Sequence, residues 1–356
     1  MNCRKLTVVF AASFMGACAS PPEPLAPPPP SATPAPPAPP PPAPAAAVEP
    51  PKPAEPTEEQ KKQAQALAEL NQDRAKIESN HQAEIARLTP EIRTEAKAIA
   101  DKAYPTGRAA IQAAMKGKFR KPGNADRDKS RHPAETLDFL GFKPTMTVVE
   151  FGPGEGWYTE LLAPALAKKG KLLLTSVDPN GPADKRSTLY AQRTKMFLET
   201  LPEAYGKVET IVVDDSAPDL AHDGQVDMVL VMRELHGLVN SKHLEGWLAA
   251  FNKALKPNGI LAIEEHRAKP DAVAEESSKK GYVPEKWAIE KIEAAGFKLA
   301  GKSEVNANKK DTKDYPEGVW TLPPTLRLGD KDRDKYLAIG ESDRMTLKFV
   351  KAAPKK

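Results

Sequence analysis

The segment Val148-Val149-Glu150-Phe151-Gly152-Pro153-Gly154-Glu155-Gly156-Trp157 joins a short apolar run to a helical segment through three closely spaced glycines. Glycines at a strand-to-helix turn let the backbone approach a ligand and leave the N–H groups of the helix N-terminus free to bind it. The spacing differs from the dinucleotide fingerprint G-x-G-x-x-G, because the third glycine comes one residue early and an acid precedes the first. The turn therefore predicts a ligand site and disfavours NAD.

Around this turn, short β-branched runs alternate with helical segments from about residue 131 onward, which indicates a parallel sheet with crossover helices. The predicted strands are residues 146–151, 171–177, 208–213, 226–232, 259–265, 297–305 and 344–350. The predicted helices between them are residues 157–167, 185–199, 243–255 and 284–295. The pattern predicts an α/β fold with a doubly wound, Rossmann-like sheet, a hairpin-like C-terminal addition and an irregular insertion at 306–343.

The pattern E-x-G-x-G-x-G, from Glu150 to Gly156, is that of class I S-adenosylmethionine-dependent methyltransferases, and the chain resembles this superfamily from about Ala134 to its end. Within the superfamily it is most similar to predicted bacterial methyltransferases that carry a signal peptide, through the lead-in at residues 131–144. The resemblance implies a seven-stranded methyltransferase sheet and S-adenosylmethionine as cofactor.

The resemblance also implies which residues bind the cofactor. An acid at the end of the second strand binds the ribose hydroxyls, and an acid or amide at the end of the third lies near the adenine amino group. The candidate cofactor-binding residues are Glu150, Gly152, Gly154, Gly156, Asp178, Asp214 and Asp215. Each acid taken alone could equally be a helix cap or a solvated turn residue.

The end of the fourth strand, Met232-Arg233-Glu234-Leu235-His236-Gly237, faces the transferred methyl group in this superfamily. His236 is the candidate general base, because a neutral imidazole can accept a proton near pH 7. Glu234 could orient His236 or bind substrate, and His266 after the fifth strand is the second candidate base. The alternatives are packed histidines and an ordinary surface ion pair.

The candidate substrate contacts are Arg233, Tyr158 and Trp320. Aromatic residues in the insertion at 306–343 predict either a wall of the substrate site or a seal against the sheet. The six histidines show no zinc-type spacing, so no metal is expected. The Asx-Pro-Pro-aromatic motif of DNA-methylating relatives is absent, and a net charge of +4 spread over both signs also disfavours a nucleic-acid partner.

The N-terminus is typical of an exported lipoprotein. Arg4 and Lys5 precede an uncharged run that ends at residue 17, too short to span a bilayer but suitable for a signal segment. Residues 1–17 are the predicted lipoprotein signal and Cys18 is the predicted lipidation site; an ordinary cleavable signal is the alternative. Because no Asp follows Cys18, resemblance to bacterial lipoproteins implies an outer-membrane anchor facing the periplasm.

Between the signal and the sheet, two further segments are predicted. Residues 18–56 hold 19 of the 37 prolines between Pro21 and Pro56, which indicates a semi-rigid tether in the polyproline II conformation. Residues 57–130 form a predicted helical arm, with a capping box at Thr57 and Gln60 and a break near Pro90. Its apolar positions are sparse, so we expect a solvated arm that packs weakly on the body or contacts a protein partner.

The domain of residues 131–356 carries the predicted activity. The two cysteines exclude a disulfide scaffold. We expect a methyltransferase of the bacterial cell envelope that acts on a small or envelope-derived acceptor. The alternative is a non-catalytic module that binds a nucleoside-like ligand or another envelope component.

Overall fold

A computed structural model describes residues 57–353. The predicted signal segment, Cys18 and the proline-rich tether lie outside the described residues. Within residues 57–353, no helix combines the length and apolarity that crossing a membrane requires.

A seven-stranded mixed sheet forms the centre of the molecule, as predicted. Its strands are β1 (Thr147–Phe151), β2 (Lys171–Ser176), β3 (Glu209–Val212), β4 (Val226–Met232), β5 (Leu255–His266), β6 (Phe297–Ser303) and β7 (Arg344–Lys351). The strand order is β3-β2-β1-β4-β5-β7-β6, with β1 to β5 parallel and β7 antiparallel to both of its neighbours. The carboxyl ends of five parallel strands therefore meet at one edge, where ligands bind in such sheets.

The helices include every predicted crossover helix and several shorter ones. They are α1 (Glu58–Arg87), α2 (Pro90–Asp101), α3 (Gly107–Met115), α4 (Asp128–Arg131), α5 (Pro133–Leu140), α6 (Thr159–Leu166), α7 (Arg186–Thr200), α8 (Pro202–Tyr205), α9 (Leu235–Ser241), α10 (Leu244–Ala254), α11 (Ala274–Ser277), α12 (Glu285–Ala294) and α13 (Arg333–Ile339). The capping box at Thr57 and Gln60 is present, and α1 ends just before Pro90, so both features are confirmed.

Two hydrophobic cores cover the two faces of the sheet. Successive residues of a strand point to opposite faces, and accordingly Val148 belongs to one core and Val149 to the other. Helices α9, α10 and α12 cover the face of Val149. The face of Val148 is covered by α2, α3, α5, α6 and α8.

The predicted helical arm differs along its length in how deeply it is buried. Leu70 is the one buried residue of α1. By contrast, α2 and α3 lie in the core with α6, and Phe119 after them is 1% exposed. Arg120 bonds to the buried Glu160 of α6 at 2.8 Å. The small side chains of α2 and α3 allow close helix packing, which a search for large apolar residues does not detect. Residues from about 88 onward are therefore part of the globular body.

The aromatic residues of the insertion at 306–343 occupy two kinds of position. Tyr315 and Tyr336 are buried against each other with ring centroids 5.9 Å apart, so they seal the insertion. Trp320 faces the carboxyl edge of the sheet and lines a cavity there.

Candidate functional site

The glycine turn after β1 has the backbone that its sequence predicts. Gly152 and Gly154 both have φ of +59°, a conformation that favours glycine. The Gly152 N–H donates to Thr175 Oγ1 at 3.1 Å, which ties the turn to β2. A Cβ on Gly152 would lie 2.8 Å from Glu234 Cγ, whereas a Cβ on Gly154 would meet no atom within 4 Å. Gly152 is therefore packed against Glu234, whereas the space beside Gly154 is free.

A cavity of about 440 Å³ lies on one side of this turn, at the ends of β2 and β3. Gly154, Ser176, Asp215 and Trp247 are among the residues that line it. The indole N–H of Trp247 is buried and lies in the same cavity as the Asp215 carboxyl. Burial raises the pKa of Asp215, Asp214 acts in the same direction, and His243 and Trp247 oppose the shift. We call this cavity the cofactor cavity.

The acids that are predicted to bind the ribose and adenine groups differ in whether they line the cofactor cavity. Asp215 lines the cofactor cavity, whereas the exposed Asp214 accepts hydrogen bonds from the N–H and hydroxyl of Ser216. Asp178 is also exposed and accepts a hydrogen bond from the Asn180 N–H at 2.8 Å, outside the lining of the cavity. Asp178 and Asp214 thus make local turn hydrogen bonds in this structure, and their assignment to the cofactor stays a prediction.

A second cavity of about 290 Å³ lies on the other side of the turn. It shares Phe151 to Glu155 and Glu234 with the cofactor cavity, so the two cavities meet at the glycine turn. The predicted residues Glu150, Tyr158, Arg233, His236, His266 and Trp320 all line it. We call it the acceptor cavity. Candidates that are far apart in the sequence are thus brought together in one chamber.

His236 lies at the start of α9 and is held by a carboxylate from the neighbouring strand β5. Its Nδ1 lies 3.1 Å from Glu265 Oε1, and its backbone N–H donates to Glu265 Oε2, also at 3.1 Å. Burial alone would lower the pKa of His236, but the adjacent Glu265 carboxylate outweighs it and raises the pKa above its usual value. An Nδ1–H donated to Glu265 leaves Nε2 as the basic nitrogen. This is the arrangement of an oriented general base.

The pKa values of Glu234 and His266 are shifted in opposite directions, and burial is the largest cause of both shifts. Burial, reinforced by Glu265, raises the pKa of Glu234 to about 7 despite the opposing His236 and Arg233. Burial lowers the pKa of His266 well below its usual value, with His236 and three arginines acting in the same direction. Its Nδ1 is 2.5 Å from Ser342 Oγ. His266 is therefore neutral and packed, which makes His236 the better base.

Glu150 at the end of β1 is fully enclosed. Its carboxyl accepts a hydrogen bond from Thr159 Oγ1 at 2.8 Å. Burial raises its pKa to about 8, against smaller opposing effects of Thr159 and Arg233. The side chain faces the acceptor cavity rather than the cofactor cavity in this structure.

Arg233 and Tyr158 are joined through one buried carboxylate. Tyr158 OH donates to Glu264 Oε2 at 2.7 Å, and Arg233 Nη1 lies 3.3 Å from Glu264 Oε1. Arg233 also has φ of +62°, a strained conformation for a residue other than glycine. These groups form a fixed polar wall of the acceptor cavity.

Sequence reasoning missed Glu265, Trp247, Arg127, Arg131 and Glu341 as site residues. Glu264 and Glu265 are adjacent acids at the end of a predicted strand, a signal that could have drawn attention to both. Arg131 belongs to the lead-in at residues 131–144, which indicated a resemblance and not a site. Glu341 lies in the irregular insertion, where the sequence has no periodicity to orient it.

Part of the chain is similar to a known protein family. Residues 125–297 match the model of a family described as a methyltransferase domain. No curated protein matches the chain.

Among solved structures, a SAM-dependent methyltransferase from Aquifex aeolicus is 18% identical over 69% of this chain and 98% of its own, with a TM-score of 0.43. A putative methyltransferase of Haloferax volcanii, in complex with the activator Trm112, is 17% identical over 65% of this chain and 94% of its own, with a TM-score of 0.42. The [4+2]-cyclase SpnF is 14% identical over 70% and 98%, with a TM-score of 0.47. None of these similarities identifies an acceptor.

S-adenosylmethionine is the cofactor of class I methyltransferase domains, and the residues present fit it. Gly154 has free space at its Cβ position, and the Trp247 N–H and the Asp215 carboxylate provide a donor and an acceptor in the same cavity. A mixed donor and acceptor lining of this kind suits a nucleoside.

Proposed function

We propose, from the premise that residues 125–297 form a class I S-adenosylmethionine-dependent methyltransferase domain, that this protein methylates an oxygen or nitrogen of a small acceptor. The observation that carries the proposal is the His236–Glu265 pair in a cavity that adjoins the glycine turn. A nucleophile with a proton to lose needs a base at that position, and a base held by a buried carboxylate is oriented before the substrate arrives.

The chain's own residues have distinct tasks in this reaction. When bound, S-adenosylmethionine supplies a methyl group on a sulfonium. His236 Nε2 accepts the acceptor's proton, and Glu265 stabilises the resulting imidazolium. Trp320, whose ring centroid is 6.0 Å from that of His236, closes the acceptor cavity above it. Arg233 and Tyr158 keep the opposite wall rigid through Glu264. Most of the rate enhancement then comes from positioning and exclusion of water.

Glu234 is the group at the junction of the two cavities. It lines both, and its Cγ would be within 2.8 Å of a Cβ on Gly152. We propose that Glu234 positions the cofactor relative to the acceptor. The positive charge of a bound sulfonium would favour the ionised, negatively charged form of Glu234.

The first experiment is thermal unfolding of the full chain with S-adenosylmethionine, S-adenosylhomocysteine or NAD. A ligand that binds only the folded state at 100 times its dissociation constant adds about 2.7 kcal/mol to stability. We expect both adenosyl ligands to raise the midpoint and NAD to leave it unchanged. No shift with any ligand would favour the non-catalytic binding module on the same fold.

Turnover requires a separate test. Methyl-tritiated S-adenosylmethionine is incubated with the protein and a small-molecule or envelope extract, and labelled products are separated. We expect label transfer by the wild type and its loss in His236→Ala, with S-adenosylhomocysteine binding retained. Loss of binding in this variant would make His236 structural.

The cellular location is a proposal from the N-terminal sequence. Arg4, Lys5, the apolar run and Cys18 support a lipid anchor in the bacterial envelope, with the tether holding the domain away from an outer membrane on its periplasmic side. Labelled palmitate should be incorporated by the wild type and not by Cys18→Ser. If the wild type stays unlabelled, the anchor is wrong while the enzymatic proposal stands. The exposed face of α1 is where we place a protein partner.

A further inference from the structure

A single network of ion pairs lies along the acceptor cavity. Arg131 Nε is 3.0 Å from Glu341 Oε2, and Arg344 Nε is 2.7 Å from Glu264 Oε1. The network contains four guanidinium groups and two carboxylates: Arg127, Arg131, Arg233 and Arg344 with Glu264 and Glu341. Guanidinium groups thus outnumber carboxylates within this largely buried network, although Glu150, Glu155 and Glu234 also line the cavity.

Arg131 is the most deeply buried arginine that lines the acceptor cavity. The residue is 3% exposed, and its guanidinium lies 4.7 Å from the Trp157 ring centroid. Its Nε bonds to Glu341, but its buried Nη1 has no hydrogen-bond partner among residues 57–353, and the residue lines the acceptor cavity. Arginine does not lose its proton in proteins, so it cannot escape this environment by becoming neutral. An unsatisfied buried donor on a charged group is costly unless a ligand completes it.

Arg127 stands beside Arg131 in the same cavity wall. Its Nε is also buried without a hydrogen bond, and it lies 3.6 Å from Glu341 Oε1. Planar guanidinium groups suit the two oxygens of a carboxylate. Two adjacent guanidiniums with free donors therefore form a built anion site.

The cofactor would not offset the positive charge of the network as a whole, even if its carboxylate contacted one of these arginines. S-adenosylmethionine carries a carboxylate, an ammonium and a sulfonium, so its binding adds net positive charge to the site. Glu341 and Arg344 also come from the insertion and β7, which close the acceptor side of the chamber.

We propose that the acceptor is a small organic acid whose carboxylate is bound by Arg131 and Arg127, with the hydroxyl or amine to be methylated directed toward His236. This rests on the proposed function, since it names the substrate class of the same site. The two arginines are positioning and specificity groups, and they do not take part in proton transfer.

The test uses the full chain saturated with S-adenosylhomocysteine, with benzoate and the uncharged benzamide as matched probes at constant ionic strength. Calorimetric titration should show that benzoate binds and benzamide does not. Arg131→Gln and Arg127→Gln should each weaken benzoate binding about tenfold or more, because each removes a charged hydrogen-bond donor. Arg108→Gln, an exposed arginine paired with Glu135, is the matched control and should bind benzoate as the wild type does.

Arg127→Gln keeps the test valid if Arg131→Gln does not fold, because the Arg127 side chain is partly exposed and bears fewer contacts. Equal binding of benzoate and benzamide, or unchanged benzoate binding in both variants, would overturn the proposal. So would a loss of S-adenosylhomocysteine affinity in Arg131→Gln with benzoate binding intact, since the site would then belong to the cofactor's carboxylate. Failure of the wild type to bind S-adenosylhomocysteine at all would instead contradict the proposed function.

Discussion

At the scale of single residues, Gly154 is where we expect the backbone to approach the cofactor. A side chain there would project into free space, so the protein itself does not exclude one. Gly154→Asp should retain the fold, at a cost of about 1 kcal/mol for the left-handed backbone. It should weaken S-adenosylhomocysteine binding about 100-fold or more, because the carboxylate would occupy the cofactor cavity.

Gly224 is a matched control for this substitution. It has φ of +64° and equally free space at its Cβ, but lies in the turn before β4. Gly224→Asp should have a similar effect on the midpoint of thermal unfolding and none on ligand affinity. Equal ligand binding by both variants in calorimetry would show that the cofactor cavity is misplaced.

Glu265 sets the proton affinity of His236, although it never meets the acceptor. Glu265→Gln removes the negative charge while keeping an oxygen for the His236 N–H. The pKa of His236 should fall by about one unit or more, since an adjacent carboxylate favours the charged imidazole. The acid limb of the activity profile should move to lower pH by the same amount.

Proton NMR titration measures this shift without knowledge of the acceptor. The His236→Gln variant identifies the NMR resonance of His236. His222 serves as an internal reference, because its ring contacts the Leu220 carbonyl and not Glu265. An unchanged His236 titration in Glu265→Gln would mean that the pair does not act as proposed.

At the scale of the secondary-structure elements, β1 carries a titratable group into the centre of the sheet. The folded protein holds the Glu150 proton up to a pKa of about 8, whereas the unfolded chain releases it near 4.5. Between these values the folded state binds more protons, so stability falls as pH rises, by at most about 1.4 kcal/mol per pH unit. The contribution is fully present below pH 4.5 and lost above pH 8.

Glu150→Gln should remove this dependence. Urea unfolding at pH 5, 6, 7 and 8 should show the variant gaining stability relative to the wild type with each step, because glutamine has no proton to lose and can still accept from Thr159. Glu59→Gln, at an exposed site on α1, is the control for the substitution itself. A constant difference between Glu150→Gln and wild type across this range would contradict the assigned burial.

At the scale of the whole molecule, the structure defines where the cooperative unit begins. A chain that starts at Leu88 loses α1 and its mostly exposed bonds, such as Arg186 with Asp73. Exposed ion pairs contribute little, so this variant should fold with a modestly lower midpoint. The loss of the Arg87 bonds to the Lys118 and Phe119 carbonyls adds to that decrease.

A chain that starts at Arg131 should not fold. It lacks the core residues of α2 and α3 and leaves Glu160, which is 0% exposed, without Arg120. Removing one partner of a buried ion pair costs about 3 to 5 kcal/mol, a large share of a domain's stability. Circular dichroism during heating distinguishes the two chains, and a cooperative transition in the shorter one would refute this boundary.

The sequence alone determined the features that depend on neighbouring residues. The glycine turn, the strand positions and the α1 capping box follow from local backbone preferences and hydrophobic periodicity, and so the sheet could be predicted. Local patterns also predicted that β4 ends shortly before His236, and the resemblance to the superfamily implied the role of this residue.

Only the tertiary structure decided which side chains meet. Glu265 holds His236 across 29 residues, and Arg131 meets Glu341 across 210. Packing also brought α2 and α3 into the core and selected Asp215 rather than Asp178 to line the cofactor cavity. These outcomes depend on burial and on charges from distant segments. The proton affinities of the site and the cluster of guanidinium groups in its ion-pair network therefore arise from the folded chain as a whole.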